Sequence, residues 1–204
     1  MTSIRSFIQK LVGSKKSITI VSGLPRSGTS MMMSALRAGG MMLLTDEVRE
    51  ADPNNPKGYY EFERVKKLPK GDVAWLEIAR GKAVKVISAL LEYLPPDYHY
   101  QIVFMERNIH EILASQRRML VRTGKEQQHP VADETIQQSY ENHLSEVRSW
   151  MANKDWIDTL FISYNQILQR PLDEFNRVAE FLEDRVDPSA MAQVVEPSLY
   201  REKK

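Results

Sequence analysis

The residues best suited to chemistry lie in a glycine-rich segment near the amino end of the chain, which reads Gly-Leu-Pro-Arg-Ser-Gly-Thr-Ser over residues 23–30. An apolar, β-branched run precedes this segment and a helical pattern follows it, which predicts a loop between a strand and a helix. Backbone N–H groups and the positive end of a helix converge in such a loop, so it can bind an anion. The candidate ligands are Pro25, Arg26, Ser27, Gly28, Thr29 and Ser30.

The residue after the second glycine indicates which kind of anion the loop binds. Gly23 and Gly28 are five positions apart, as in a Walker A loop, but Thr29 stands where that motif has a lysine. Without this lysine, an ordinary ATP or GTP enzyme is disfavoured. Arg26 supplies instead a planar, permanently charged fork that suits a tetrahedral anion. A glycine turn that merely opens a helix is the structural alternative.

A second candidate anion contact follows the third predicted strand. Arg107 stands at the end of that strand, and Ser115 lies eight residues later on the next predicted helix. Ser115 shares a helix face with Ile112 and Met119, so its hydroxyl lies in an apolar stripe and needs a partner. Two alternatives stay open: Ser115 bonds to its own helix backbone, or Arg107 forms a surface ion pair.

Four short apolar runs predict the strands of a parallel sheet that is covered on both faces. They span residues 17–22, 82–87, 100–105 and 159–164, and helical patterns span residues 29–38, 108–122, 133–151 and 172–182. This alternation is typical of an α/β fold. We therefore expect a P-loop-type three-layer sandwich, with a central parallel sheet of four or five strands flanked by helices. Asn108 and Glu111 resemble a capping box, and Pro171 suits a first helical turn.

Length and composition indicate one soluble globular domain over residues 1–204, with 42% hydrophobic and 27% charged residues. The absence of cysteine excludes disulfides, thiolate nucleophiles and cysteine zinc sites. The helical spacing of apolar residues predicts an amphipathic helix within residues 1–16. The loop pattern after the first helix predicts a lid and acceptor region over residues 45–81. Within that region, Trp75 and Tyr59 either stack on an acceptor or pack in the core.

The net charge of +1 conceals a local asymmetry, because the first 45 residues hold six basic residues and no acidic one. Two of the six, Arg26 and Arg37, belong to the loop and its helix, and the others are too few to predict a nucleic-acid partner. No apolar stretch reaches the ~20 residues of a membrane span. We expect a cytoplasmic protein without stable membrane insertion.

The two anion motifs together resemble those of sulfotransferases that use 3′-phosphoadenosine 5′-phosphosulfate (PAPS). Residues 23–30 look like their 5′-phosphosulfate loop, and residues 107–115 resemble their 3′-phosphate motif, in which an arginine at a strand end precedes a serine at this spacing. Residues 55–61 and 162–168 are similar to further segments of bacterial members. The likeness covers residues 17–200 in order. It implies PAPS as the donor, no metal, and a small-molecule, carbohydrate or lipid acceptor.

Departures from the family's pattern bear on the catalytic base. Cytosolic small-molecule members carry Lys-x-His on a strand, whereas this chain keeps Lys85 and has Ile87 in the histidine's place. The pattern is closer to that of the family branches whose members use a carboxylate as the base. The resemblance therefore implies that Lys85 reaches the bridging oxygen of the donor and that Glu61 is the base. Glu47 and Asp46 are rival bases.

The function that this resemblance implies is in-line transfer of a sulfuryl group from PAPS to an acceptor hydroxyl or amine. One alternative is a P-loop kinase or nucleotide hydrolase. Such an enzyme needs an aspartate at a strand end for magnesium, whereas the candidate strands end in Glu106-Arg107 and Tyr164-Asn165. The other alternative is a catalytically silent anion-binding protein on the same scaffold.

Overall fold

The computed structural model describes residues 17–46, 58–124 and 132–195. Its strands are β1 Ile18–Gly23, β2 Ala83–Lys85, β3 Tyr100–Glu106 and β4 Ile157–Ser163. Its α-helices are α1 Thr29–Ala38, α2 Leu76–Ala79, α3 Ile109–Arg122, α4 Asp133–Ala152, α5 Tyr164–Gln169, α6 Pro171–Phe181 and α7 Pro188–Gln193. Two 3-10 helices, Glu63–Lys70 and Ser88–Tyr93, lie before and after β2.

The strands form one parallel sheet in the order β2-β1-β3-β4. β1 therefore lies in the interior of the sheet, where Val21 is opposite Lys85 of β2 and Val103 of β3. Leu43 adds a single parallel bridge to Ala83 on the outer side of β2. The expected α/β fold with four or five parallel strands is confirmed.

Each face of the sheet packs against its own apolar core, because successive side chains of a strand point to opposite faces. Val21 and Val103 belong to a core that includes α1, α5, α6 and α7. Ile20 and Ile102 belong to the other core, which includes α2, both 3-10 helices and Met151 near the end of α4. Cover on both faces explains why the strands read as continuous apolar runs.

The second and fourth strands differ from their predicted bounds. β2 is shorter than predicted because the chain turns at Ile87 into a 3-10 helix, where the buried Ser88 hydroxyl lies 2.9 Å from Nε2 of His143. β4 begins at Ile157, and Tyr164 already belongs to α5. That helix is capped by the Ser163 hydroxyl, which accepts a hydrogen bond from the Gln166 N–H at 3.3 Å.

The start of α3 bears out one part of the predicted capping box. The Asn108 side chain caps the helix, accepting a hydrogen bond from the His110 N–H at 2.9 Å. Glu111 has a different role from the one predicted, because its carboxylate accepts hydrogen bonds from Arg107 and Asn165. Pro171 lies in the first turn of α6, as expected.

The predicted lid and acceptor region is described only in part. Residues 1–16, the predicted amphipathic helix, and residues 47–57 of the lid lie outside the described residues. Trp75 is completely buried and Tyr59 is 5% exposed, so both pack in the core rather than lie open to an acceptor.

Among the described helices, none is both long enough and apolar enough to cross a membrane.

A buried polar cluster joins the sheet to the turn after α6, at the end of the strands away from the predicted anion loop. Nη2 of Arg185 donates to Oγ1 of Thr19 at 3.2 Å and to the side-chain oxygen of Gln101. Nε of Arg185 donates to the carbonyl oxygen of Leu182 at 3.0 Å. Burial lowers the pKa of Arg185. The guanidinium therefore supplies donors to polar side chains that the sheet places in an apolar core.

We expect Arg185→Ala to lower the free energy of unfolding by about 1–3 kcal/mol, because it leaves the buried oxygens of Thr19 and Gln101 short of a donor. The measurement is urea denaturation. Arg170→Ala, at an exposed arginine, is the matched control and should change stability by less than about 0.5 kcal/mol. Equal losses in the two variants would contradict a stabilising role for the cluster.

Candidate active site

The carboxyl ends of the four parallel strands meet along one edge of the sheet, where open α/β sheets bind ligands. β1 ends at Gly23 and continues into the predicted anion loop. β2 ends at Lys85, β3 ends just before Arg107, and β4 ends just before Tyr164. The sheet thus brings candidate residues from separate parts of the chain to one edge.

The two loop glycines are required by close packing. A Cβ atom on Gly23 would lie 2.6 Å from the carbonyl oxygen of Met105, and one on Gly28 would lie 2.5 Å from Cδ2 of Tyr164. Both glycines also have positive φ angles, +142° and +104°, which side chains disfavour. The loop can therefore lie directly against the ends of β3 and β4.

The loop offers donors to an anion. Thr29 is the first residue of α1 and Ser30 the second, so the first N–H groups of that helix point back toward the loop. Pro25 is exposed. The hydroxyls of Ser22 and Ser27 are buried and make no hydrogen bond within the described part of the chain. Buried hydroxyls usually have a partner, and the oxygens of a phosphate or sulfate group would provide one.

The two predicted anion motifs contact each other directly. Nε of Arg26 donates to the Ser115 hydroxyl at 3.0 Å, and Nη1 of Arg107 donates to the carbonyl oxygen of Arg26 at 3.1 Å. Arg26 has a φ of +72°, a left-handed conformation that is uncommon for a residue with a side chain. The Arg107 side chain is 8% exposed, so it is not a surface ion-pair residue.

Tyr164 supports both the loop and Arg107. Its ring lies under the guanidinium of Arg107, 4.4 Å from ring centre to Cζ, and it limits the space beside Gly28. A cation above a tyrosine ring is attracted by the negative face of the ring. Burial raises the pKa of the Tyr164 hydroxyl. The first residue of α5 thus helps to place a cation of the site.

Lys85 lies on the other side of the loop from Arg107. It is 9% exposed, and its ammonium donates to the carbonyl oxygen of Tyr59 and to the Ser30 hydroxyl at 3.4 Å. A carboxylate oxygen of Glu61 is 3.9 Å from Nζ of Lys85. These contacts join β2, the start of α1 and the segment around residue 60. Ile87, where the cytosolic pattern has histidine, is 42% exposed.

A turn at Tyr60 allows its two neighbours to reach Lys85 together. Tyr60 has a φ of +51°, a conformation that costs roughly 1–2 kcal/mol in a residue with a side chain. Its hydroxyl is buried without a hydrogen bond in the described residues. The second carboxylate oxygen of Glu61 is 3.5 Å from Nζ of Lys66. Glu61 therefore lies between two ammonium groups.

Of the two rival carboxylates, Asp46 is tied to the same segment and Glu47 lies outside the described residues. Oδ2 of Asp46 accepts a hydrogen bond from the Glu63 N–H at 2.6 Å. The Asp46 N–H donates to the carbonyl oxygen of Glu61 at 3.2 Å. The Asp46 carboxylate thus contacts the backbone at the start of the first 3-10 helix.

Sequence reasoning assigned no site role to Tyr164, Glu111 or Asn165. Tyr164 and Asn165 had a visible signal, because Tyr164 ends the fourth predicted strand and Asn165 follows it, which puts both near the ligand-binding edge. The contact between Asn165 and Glu111 had none, since it joins two strand ends only after folding. Within the described ranges, no group of three or more histidine, aspartate and glutamate side chains has the geometry to hold a metal ion.

Comparison with known proteins places this geometry in a family. A family model described as a sulfotransferase domain matches residues 16–204. No curated protein matches the chain by sequence.

Several solved structures are similar to this chain at low sequence identity. The sulfotransferase domain from the curacin biosynthetic pathway superposes with a TM-score of 0.54 and 16% identity, over 89% of this chain and 78% of that domain. A mouse sulfotransferase, SULT7A1, complexed with PAP has a TM-score of 0.47 and 18% identity, over 88% of this chain and 62% of that one. A sugar kinase from Janibacter has a TM-score of 0.43 and 12% identity, over 86% and 98%.

The family model includes the anion loop, Lys85 and the Arg107 motif within its matched range. The parallel sheet flanked by helices agrees with the fold of the curacin-pathway domain. The chain therefore belongs to the sulfotransferase family.

Proposed function

We propose that this protein transfers a sulfuryl group from PAPS to an acceptor hydroxyl or amine. The observation that carries the proposal is the direct contact between the two anion motifs, through Arg26, Ser115 and Arg107. PAPS has anionic groups at both its 5′ and 3′ positions, so its binding needs two anion sites that lie close together. The loop and the Arg107 motif meet that requirement at one edge of the sheet.

In this proposal, each of the two motifs binds a different part of the donor. The loop amides, together with Ser27, Thr29 and Ser30, hold the 5′-phosphate and the sulfuryl oxygens. Arg107 and Ser115 hold the 3′-phosphate, and Arg26 lies between the two groups. Pro25 and Gly28 shape the loop backbone. The left-handed φ of Arg26 supports this division. The buried Ser27 hydroxyl, which has no hydrogen-bond partner among the described residues, supports it as well.

The reaction is an in-line displacement at sulfur. A bond forms between the acceptor oxygen or nitrogen and sulfur, the bond from sulfur to the bridging oxygen breaks, and adenosine 3′,5′-bisphosphate leaves. Lys85 stabilises the negative charge that builds on the bridging oxygen. A preorganised donor of this kind is worth roughly 10²–10³ in rate. The Lys85 ammonium contacts Ser30 at the start of α1, which places it beside the loop.

Glu61 takes the acceptor proton as general base. Its carboxylate lies 3.9 Å from the Lys85 ammonium, so the proposed base and the proposed electrophilic group occupy the same side of the loop. Asp46 is the less favoured base because its Oδ2 already accepts a hydrogen bond from the Glu63 N–H. Glu47 remains an alternative general base, and only the sequence supports it.

The acceptor belongs to one broad class in this proposal: a small molecule, carbohydrate or lipid with a nucleophilic hydroxyl or amine. The reaction takes place in the cytoplasm, needs no metal and involves no nucleic acid. The P-loop kinase is disfavoured by Thr29 at the lysine position of the Walker motif. A silent anion-binding protein would keep the donor site without turnover. The experiments below separate these three functions.

We expect adenosine 3′,5′-bisphosphate at 100 times its dissociation constant to stabilise the protein by about 2.7 kcal/mol. For a domain of this size the melting temperature should then rise by about 5–11 °C. The measurement is thermal unfolding with the bisphosphate and, separately, with ATP and magnesium. Stabilisation by ATP and magnesium alone would overturn the proposal in favour of a kinase.

We expect Arg107→Ala to weaken binding of adenosine 3′,5′-bisphosphate by about 10- to 150-fold, because a charge-assisted hydrogen bond is worth about 1.5–3 kcal/mol. Isothermal titration calorimetry measures the change. Arg117→Ala on the same helix is the matched control, since that side chain is 60% exposed and pairs with Asp133. Equal affinity in Arg107→Ala and the parent protein would remove Arg107 from the 3′-phosphate site.

We expect Glu61→Gln to lower turnover by roughly 10²–10⁴, the range for loss of a general base, while donor binding is kept. Turnover is measured as bisphosphate release with a panel of phenol, sugar and amine acceptors. Glu63→Gln is the control, because Glu63 pairs with Lys66 in the same segment. Loss of turnover in Asp46→Asn but not in Glu61→Gln would transfer the role of base to Asp46.

A further inference from the structure

A carboxylate lies inside the proposed anion site, where its charge opposes the binding of a phosphate. Glu111 is on the first turn of α3, and its side chain is 15% exposed. Oε2 of Glu111 accepts from Nε of Arg107 at 2.9 Å, and Oε1 accepts from Nδ2 of Asn165 at 3.0 Å. The two oxygens thus contact residues that follow two neighbouring strands, β3 and β4.

We propose that Glu111 is a positioning residue for donor binding and acts through Arg107. This inference rests on the proposed function, because it requires that Arg107 holds the 3′-phosphate of the donor. Arg107 is held at three places: Nε by Glu111, Nη1 by the carbonyl oxygen of Arg26, and the guanidinium face by the ring of Tyr164. These contacts define the plane of the guanidinium and the directions of its N–H bonds.

The effect of Glu111 extends to the loop. The carbonyl oxygen that Arg107 holds belongs to Arg26, the loop residue with a left-handed φ. The same residue is held at its side chain by Ser115 on α3. Glu111 therefore helps to fix the Arg26 backbone, and Asn165 ties the carboxylate itself to the start of α5.

Two physical effects of the Glu111 charge predict opposite results for ligand binding. If the charge acted only by electrostatics, its removal would tighten the binding of an anion, because a nearby negative charge would be lost. If the carboxylate orients Arg107, its removal weakens binding, because the guanidinium loses the partner that defines its plane. The sign of the change in affinity therefore distinguishes the two effects.

The experiment is a double-mutant cycle on the full chain, with adenosine 3′,5′-bisphosphate as the probe and calorimetry as the readout. Glu111→Gln keeps the shape of the side chain and removes its charge, and its single amide oxygen cannot accept hydrogen bonds from both Arg107 and Asn165. We expect about a tenfold weaker affinity in this variant. In the Arg107→Ala background we expect Glu111→Gln to have no further effect, because a residue that acts through Arg107 cannot act without it.

Controls separate failure of this inference from failure of the proposed function. A parent protein that does not bind the bisphosphate overturns both. A parent that binds it, with Glu111→Gln equal or tighter in affinity, overturns the positioning role alone, and so does an undiminished effect in the Arg107→Ala background. Glu146→Gln, at an exposed glutamate of α4, should leave affinity unchanged.

Should Glu111→Gln fail to fold, Asn165→Ala provides a second measurement, because it removes the other partner of the carboxylate. We expect a smaller loss of affinity than in Glu111→Gln, again absent in the Arg107→Ala background. Urea denaturation of each variant shows whether it is folded under the binding conditions. An unchanged affinity in a folded Asn165→Ala variant would overturn the positioning role of Glu111.

Discussion

The Arg107 guanidinium lies between the carbonyl oxygen of Arg26, the carboxylate of Glu111 and the ring of Tyr164. One buried cation thereby joins the loop after β1 to the residues that follow β3 and β4. A buried cation is costly unless it is paired and hydrogen-bonded, and these contacts meet that need before any ligand binds. The arrangement also explains why Gly28 is required, since Tyr164 must approach the loop closely to lie under Arg107.

Lys85 lies in the other half of the candidate site, on the opposite side of the loop. β1 lies between β2 and β3 in the sheet, so the cations at the carboxyl ends of these two neighbours flank the loop that follows β1. The Lys85 ammonium is held by the Tyr59 carbonyl, and the left-handed turn at Tyr60 brings Glu61 near it. Conformational strain at a residue next to a candidate functional group, here Glu61, is typical of sites that position chemistry.

Much of the fold and part of the site could be predicted from the sequence. The strand-loop-helix pattern around residues 23–30 and the arginine-serine spacing of Arg107 and Ser115 are local, and each was visible without coordinates. The short helix α5 was not predicted, because its six residues are too few to show a periodic pattern. Glu111 was interpreted as part of a capping box because its spacing from Asn108 matches one, yet its hydrogen-bond partners include residues outside that motif.

By itself, the sequence determined that this chain forms a parallel α/β sheet with a glycine-rich loop between its first strand and its first helix, because hydrophobic periodicity and glycine placement act over short distances along the chain. Only the tertiary structure decided which side chains meet. Arg26 contacts Ser115, and Lys85 contacts Ser30 and Glu61, because parallel strands bring their carboxyl ends to one edge from distant parts of the sequence. The distances, burial and shared partners that distinguish a ligand site from separate polar residues arise at that edge.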